Sequence, residues 1–316
     1  MTNETNATAQ PRLHYAWVVA GIAFLMLLVA AGIRSAIGVM ILPLEKDFGW
    51  TRATVSAAAA LSIFLYGFTG PFAAAVTQNF GIKRTLLGAL ALLATATGAS
   101  LFMTEPWQLM LTWGVMVGIG AGTAALPLGT AIVNRWFVAH RGLVIGLLTS
   151  SMAAGQLVFL PSLAYLSEHG GWRPVALTVA ICAAAVAVAV LALREYPADV
   201  GRPPLGGTKI EPPPPPSRAN PITTAVQALI DVRGSRAFWL LAGTFFVCGL
   251  STSGLVATHF IAYCFDNGIP ETRGASLLAF IGVFNVIGTT LSGWLTDRWD
   301  SRWLLFWYYA LRGISL

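Results

Sequence analysis

Long apolar stretches constrain the fold of this chain more than any other feature of its sequence. A helix needs about 20 mostly apolar residues to cross the hydrocarbon core of a bilayer, and eight stretches of this kind are complete. They span residues 17–44, 53–76, 85–103, 107–133, 142–166, 174–193, 238–265 and 275–295, and a ninth begins near Trp303 and continues to Leu316. The pattern predicts an all-α membrane protein that crosses the bilayer several times.

The composition points to the same class. Hydrophobic residues make up 56% of the 316 residues and charged residues only 10%, whereas a soluble domain carries about 25% charged residues. This balance excludes an ordinary soluble enzyme, a disordered tail protein and a DNA-binding module. The three cysteines form no CxxC pair, and the sequence has no recognisable nucleophile–base pair, metal-ligand cluster or phosphate loop. We therefore expect no enzyme activity, no cofactor or metal, and no nucleic-acid partner.

The distribution of positive charge predicts the orientation. With the N-terminus placed in the cytoplasm, 13 of the 19 lysines and arginines fall in inside segments and 4 in outside loops. The other two, Arg34 and Arg312, lie inside apolar stretches. Because Lys and Arg concentrate on the cytoplasmic side of membrane proteins, we expect a multi-pass protein of the cell inner membrane with a cytoplasmic N-terminus.

A proline-rich segment, residues 194–236, divides the chain. Its run of prolines at 212–216 favours polyproline II and cannot form a membrane helix. We expect a cytoplasmic linker here, with a short surface helix over 222–230. The linker separates a six-helix half, residues 1–193, from a second part, residues 237–316.

An internal repeat relates the two parts. The loop after the second stretch and the loop after the eighth resemble each other at an offset of 219 residues, from Gln78 to Asp297. The same offset carries the start of the first stretch close to the start of the seventh. Parallel six-helix repeats are the plan of one large class of transporters. We expect two such repeats, with the second truncated at Leu316 inside its third helix.

The later loop resembles the cytoplasmic loop signature of the major facilitator superfamily. The matching residues are Gly293, Leu295, Asp297, Arg298 and Arg302, in the pattern G-x-L-x-D-R-x-x-x-R. The earlier loop keeps Gly81, Lys83 and Arg84, but Gln78 and Asn79 stand where the family usually has Asp and Arg. The resemblance implies that these two loops gate the cytoplasmic side. The alternative is that their charges are solvated and only obey the charge rule of orientation.

Four further motifs resemble the monocarboxylate transporter and oxalate/formate antiporter branch of that superfamily. They are G-V-M-I-L-P-L-x3-F-G-W at 38–50, R-W-F-x3-R-G at 135–142, G-W-R at 171–173 and G-x-S-T-S-G-x4-H-F at 249–260. The resemblance implies a helical bundle of the major facilitator type that acts as a secondary active transporter. It also implies a small organic anion, such as a monocarboxylate, moved by alternating access with proton symport or anion exchange.

Two arginines lie deep in apolar stretches. Arg34 is in the first stretch, and Arg312 is about 15 Å beyond Arg302 at 1.5 Å per helical residue. A charge at this depth usually faces a cavity, a guanidinium fits a carboxylate, and all 13 acidic residues lie outside the stretches. We interpret both arginines as substrate-binding residues from opposite halves. The alternatives are that Arg34 braces neighbouring helices and that Arg312 donates to helix carbonyls.

Three uncharged polar residues complete the predicted binding site. His259 suits a proton relay because the unperturbed pKa of histidine is about 6.5, and Gln156 and Asn285 are candidate substrate contacts. For all three the alternative is a hydrogen bond within or between helices.

Small residues recur at every fourth position in two stretches and predict close helix packing. They are Gly114, Gly118 and Gly122 in the fourth stretch, and Gly142, Gly146, Ser150 and Ala154 in the fifth.

Two other functions fit the same pattern, an exporter of a lipophilic compound and a non-transporting membrane sensor with the same fold. In every case the lipid bilayer surrounds the chain, and we expect a monomer. For the transporter, the partners are the organic anion and, in symport, protons.

Overall fold

The computed structural model describes residues 14–210, 212, 220–296 and 299–315. Within these residues the chain is almost entirely helical, with an isolated β-bridge between Phe137 and Leu205. The helices are α1 Tyr15–Phe48, α2 Arg52–Phe80, α3 Ile82–Ala99, α4 Pro106–Trp136, α5 Arg141–Gly170, α6 Trp172–Leu191, α7 Arg236–Asp266, α8 Glu271–Thr296 and α9 Ser301–Ser315. Of these, α1 to α8 are long and apolar enough to cross a membrane, which confirms the predicted all-α membrane class.

The helix boundaries confirm the internal repeat. The 219-residue offset carries the first residues of α2 and α3, at 52 and 82, onto the first residues of α8 and α9, at 271 and 301. The same offset carries the last residue of α1, at 48, to within one residue of the last residue of α7, at 266. Helices α7 to α9 therefore repeat α1 to α3.

Short turns join consecutive helices within each part of the chain and make them antiparallel. The turn from α1 to α2 takes three residues, and Gly49 adopts the left-handed conformation (φ 67°) that ends α1. The side chain of Thr51 then accepts a hydrogen bond from the backbone N–H of Thr54 and caps α2. We call the end of the bundle where α1 begins the basal end, and the end where α1 finishes the distal end.

The bundle is held together by α1 and by two pairs of facing helices. The buried α1 packs along α5 and α6, α2 packs along α4, and α3 along α6. The second part of the chain joins the first where α8 packs along α5 and the end of α7 packs on α1. The centre of the molecule is thus bounded by helices from both parts.

The predicted stripe of small residues in α4 is a true packing surface. A Cβ atom on Gly118 would lie 2.9 Å from the carbonyl oxygen of Ser62, and one on Gly122 only 2.6 Å from that of Tyr66. For the two glycines of the stripe predicted in α5 the prediction is wrong, because Cβ atoms on Gly142 and Gly146 would meet nothing within 4 Å. Helix α5 instead approaches α1 at Gly155, where a Cβ would lie 2.5 Å from the carbonyl oxygen of Leu28.

The proline-rich segment starts as a docked strap rather than a free linker. The backbone N–H of Leu205 donates a hydrogen bond to the carbonyl of Trp136 (2.8 Å). The carbonyl of Leu205 accepts a hydrogen bond from the backbone N–H of Val138 (2.9 Å). Gly206 has φ 85°, and a Cβ there would lie 2.5 Å from that of Ala139. Residues 195–207 are therefore held against the turn between α4 and α5. The predicted surface helix is present as Pro221–Val232, named here the linker helix, and it packs against α2.

Candidate functional site

Arg34 lies in the middle of the bundle. It is the twentieth residue of the 34-residue α1, about 28 Å from the basal end of that helix at 1.5 Å per residue. Its side chain is partly buried, and the guanidinium carbon lies 4.7 Å from the ring centroid of Tyr66 on α2. A cation over an aromatic face is attracted by the ring quadrupole. Tyr66 therefore holds the guanidinium without neutralising it.

No carboxylate neutralises this arginine within the described part of the chain. The ion pairs found there involve Arg52 and Arg135, both near helix ends. An arginine kept in a low-dielectric region without a counter-ion favours the approach of an anion, since Coulomb attraction grows as the dielectric falls. The electrostatics at Arg34 thus fit an anionic ligand.

A small polar cavity of about 30 Å³ adjoins Arg34. Polar side chains from both parts of the chain line it, namely Ser62 on α2, Gln156 on α5 and Thr258 on α7. Thr258 is buried and follows a π-helical segment, Leu250–Val256, which widens α7 before this point. Such segments often mark functional sites. A guanidinium, an amide and two hydroxyl groups together can bind the oxygen atoms of a carboxylate.

The structure brings together only some of the predicted binding residues. Arg34 and Gln156 share the cavity, whereas His259 is partly buried beside Thr258 and is not part of its lining. Asn285 lies exposed on α8, where its backbone carbonyl accepts a hydrogen bond from the hydroxyl of Thr289 (2.8 Å). Arg312 is in α9, and its side chain falls outside the described residues.

The predicted gating loops are described in part. Asp297 and Arg298 fall outside the described residues, Gly293 lies near the end of α8, and Arg302 lies in the first turn of α9. The backbone N–H of Arg302 donates to the carboxylate of Asp300 at 2.9 Å. In the earlier loop Gly81 adopts φ 86° between α2 and α3, and Lys83 and Arg84 follow it.

A basal clasp is centred on Glu195, which lies four residues beyond the end of α6. Its carboxylate accepts the backbone N–H groups of Ile82 and Lys83 at the start of α3, the second at 3.1 Å. It also accepts a hydrogen bond from Arg135 at the end of α4 (2.9 Å), whose guanidinium lies 4.6 Å from the ring centroid of Tyr196. The carboxylate thus satisfies amides that a helix N-terminus leaves unpaired. It joins α3, α4 and α6 at one point.

A distal clasp joins the two parts of the chain at the opposite end. Arg52, in the first turn of α2, donates to both carboxylate oxygens of Glu45 (2.9 and 3.3 Å) and to both of Asp266 (2.5 and 3.2 Å). Glu45 belongs to α1 and Asp266 to the end of α7. One guanidinium therefore bridges the two parts through two-oxygen contacts, the geometry in which arginine binds carboxylates most strongly.

A second polar link supports the distal clasp. Glu168 of α5 accepts the backbone N–H of Thr272 in the first turn of α8 (2.6 Å). The neighbouring Ser167 donates to Glu271 (3.1 Å). Among the described residues, the basal clasp stays within the first part of the chain, whereas both distal links cross between the parts. The polar contacts that join the two parts therefore lie at the distal end of the bundle.

Sequence reasoning missed the charged residues of both clasps and the aromatic partner Tyr66. Glu195 and Asp266 lie in or beside loops, where a solvated charge is the ordinary expectation. The motifs themselves offered a partial signal, since the predicted R-W-F motif contains Arg135, and its Trp136 and Phe137 are buried at the basal end. These motif residues build helix junctions and do not reach the Arg34 cavity.

The comparisons with known proteins agree with this fold. The family model described as Major Facilitator Superfamily matches residues 22–316. The chain belongs to the Major Facilitator Superfamily. This superfamily member is 25% identical over 299 residues to the MFS-type transporter YcxA of Bacillus subtilis (strain 168), covering 90% of this chain and 66% of YcxA.

Monocarboxylate transporters are also among its relatives. The chain is 28% identical over 291 residues to monocarboxylate transporter 3 of Rattus norvegicus, covering 88% of this chain and 54% of that protein. These similarities confirm the predicted resemblance. A solved D-xylose-proton symporter shares the fold, with a TM-score of 0.65 at 16% identity over 90% of this chain and 70% of the symporter. The chain thus spans 54–70% of the length of these three proteins.

Proposed function

We propose that this superfamily member is a secondary active transporter of a small organic anion, such as a monocarboxylate, and that Arg34 binds the carboxylate. The observation that carries the proposal is a guanidinium that forms no ion pair with the described residues, beside a cavity lined from both parts of the chain. Similarity to monocarboxylate transporters supports the substrate class. Gln156 and Thr258 complete the contacts to the anion. Transport changes no covalent bond, so the proposed function requires no catalytic group.

The distal clasp supports alternating access between the two parts of the chain. The distal clasp holds the two parts together beyond Arg34, so this state admits substrate from the basal side. To open the distal end, the protein must break the contacts of Arg52 and Glu168 across the parts. The basal loops with Lys83, Arg84 and Arg302 then close the other side, together with Asp297 and Arg298. Residues 1–193 and 237–316 move as the two halves, joined by the linker.

The basal end faces the cytoplasm in this proposal. The excess of Lys and Arg in the basal segments supports the orientation. In this orientation the N-terminus and the linker lie in the cytoplasm, on the inner side of the cell inner membrane. Coupling is proton symport or anion exchange. In symport His259, next to the cavity residue Thr258, relays the proton. Arg312, from the second half, also binds the anion. Asn285 contacts the anion only after α8 moves.

Flux through reconstituted protein tests the function. Purified protein in proteoliposomes is expected to accumulate radiolabelled lactate under an inward proton gradient or against internal lactate. Arg34→Gln should lower substrate affinity by about tenfold or more, since a hydrogen bond to a charged group contributes roughly 1.5–3 kcal/mol. Arg34→Lys keeps the charge but loses the planar fork of the guanidinium. The substrate affinity of this variant should therefore lie between that of the parent and that of Arg34→Gln.

The matched control is Arg194→Gln, which removes an exposed arginine away from the cavity and should leave affinity unchanged. Equal lactate uptake by Arg34→Gln and the parent would refute the role of Arg34. Transport of lipophilic compounds with no carboxylate flux would favour an exporter. Absence of flux for both substrate classes in well-folded protein would favour a sensor.

A further inference from the structure

A crevice opens on the outside of the bundle between α2 and α3, near the basal end. Its volume is about 360 Å³. Apolar side chains form most of its walls, and the lining residues that shape it are Val76, Phe80, Arg84, Gly88 and Leu92. The crevice is separate from the Arg34 cavity, with which it shares no lining residue.

Within the described part of the chain, the crevice opens to the outside of the helices that form it. Phe80 at its rim is 57% exposed, and Arg84 and Gly88 are exposed as well. A Cβ atom on Gly88 would meet nothing within 4 Å, so this wall of α3 is open. Leu92 lies two helical turns from Arg84, which makes the crevice about 12 Å long at 1.5 Å per residue.

A positively charged side chain, that of Arg84, lies at the basal rim of this crevice. Arg84 is the charged member of its lining and forms no ion pair with the described residues. The nearby Lys83 donates its ammonium group to the carbonyl of Leu191, and Glu195 is occupied by Arg135 and by backbone amides. The guanidinium of Arg84 is therefore left to bind an external anion.

We propose that the crevice binds an anionic phospholipid, with the phosphate on Arg84 and one acyl chain along Phe80, Gly88 and Leu92. An apolar slot that starts at the end of a membrane helix, with a basic residue at the headgroup level, has the chemistry of a lipid site. A free phosphate would contact the guanidinium but would leave the apolar wall, about 12 Å long, without a ligand. The lipid occupies the same leaflet as the basal loops, and the site holds whether or not the bundle transports a carboxylate.

Lipid binding to purified protein tests the site. The full chain is placed in nanodiscs of phosphatidylcholine with increasing phosphatidylglycerol, and retained lipid is measured by native mass spectrometry. Arg84→Gln should lower the affinity for phosphatidylglycerol by about fivefold, the effect of one basic residue near an anionic surface. Gly88→Leu should lower it as well by filling the slot without changing charge. Arg236→Gln, which removes an exposed arginine at the start of α7, is the matched control.

Each outcome decides between a lipid site and its rivals. Loss of retained phosphatidylglycerol in both Arg84→Gln and Gly88→Leu, with Arg236→Gln like the parent, supports the proposal. Loss in Arg84→Gln alone would mean surface attraction without an acyl-chain slot and would overturn it. Inorganic phosphate in detergent should not compete for the bound lipid at millimolar concentration, and effective competition would identify a free-phosphate site instead.

Discussion

Replacing Glu195 by glutamine should destabilise the whole basal end of the bundle. The glutamine is nearly the same size, so the change removes charge rather than volume. Its single amide oxygen can still accept one of the two backbone N–H groups that Glu195 accepts from Ile82 and Lys83. The charge-assisted contact to Arg135, now at 2.9 Å with both side chains 24% exposed, is lost.

The size of the effect follows from these contacts. A hydrogen bond to a charged group contributes about 1.5–3 kcal/mol and a neutral one about 1 kcal/mol. Losing one charged contact to Arg135 and weakening the helix cap should therefore lower the free energy of unfolding by about 2 kcal/mol. At about 2.1 cal/mol/K of unfolding entropy per residue, a chain of 316 residues should then show a fall in Tm of roughly 3 °C.

Thermal unfolding in detergent, followed by intrinsic tryptophan fluorescence, measures this change. Asp231→Asn is the matched control, since Asp231 accepts a bond from Gln227 (2.9 Å) on the exposed linker helix and should contribute under about 0.5 kcal/mol. A double-mutant cycle with Arg135→Gln should show coupling between Glu195 and Arg135. A Tm for Glu195→Gln equal to that of Asp231→Asn, or zero coupling, would refute the clasp.

Three further predictions address the distal clasp, the packing and the orientation, with the three native cysteines replaced by serine wherever thiol labelling is used. Asp266→Asn removes the anchor of the distal clasp on α7, so a Ser62→Cys probe in the Arg34 cavity should react faster with an impermeant thiol reagent added outside cells; an unchanged rate would mean that the clasp does not close this end. Gly155→Ala should destabilise the protein by about 1–3 kcal/mol through overpacking against the α1 backbone, while Gly88→Ala should be neutral or stabilising by up to about 1 kcal/mol; equal Tm values for the two would contradict the close approach. Thr208→Cys should react with an impermeant maleimide in inverted vesicles and stay unlabelled in intact cells, and labelling from outside would reverse the orientation.

The small-residue stripes show where sequence reasoning succeeded and where it failed. Both stripes had the same period, yet glycines of the α4 stripe face a neighbouring backbone and the two glycines of the α5 stripe do not. The close approach of α5 occurs instead at Gly155, one residue beyond the predicted stripe. A four-residue period indicates which residues share a helix face, but it does not say whether another helix or lipid covers that face.

The binding site divides in the same way. Depth in an apolar stretch was enough to single out Arg34, because a charge inside a membrane helix is costly wherever its partners lie. The residues around Arg34 were predicted only in part. Gln156 does share its cavity, whereas Asn285 lies exposed on α8. No sequence pattern indicated the aromatic partner Tyr66.

The sequence by itself determined the membrane class, the eight long helices, the repeat and the family, because lipid imposes the length and the apolarity of every span locally along the chain. Only the tertiary structure decided which charges meet. Arg52 and Asp266 are 214 residues apart in the chain, and Arg135 and Glu195 are 60 residues apart. Such pairs depend on how whole helices pack, and each of these charges taken singly looks like an ordinary solvated loop residue. The clasps at the two ends of the bundle exist because packing brings distant loop charges within hydrogen-bonding distance.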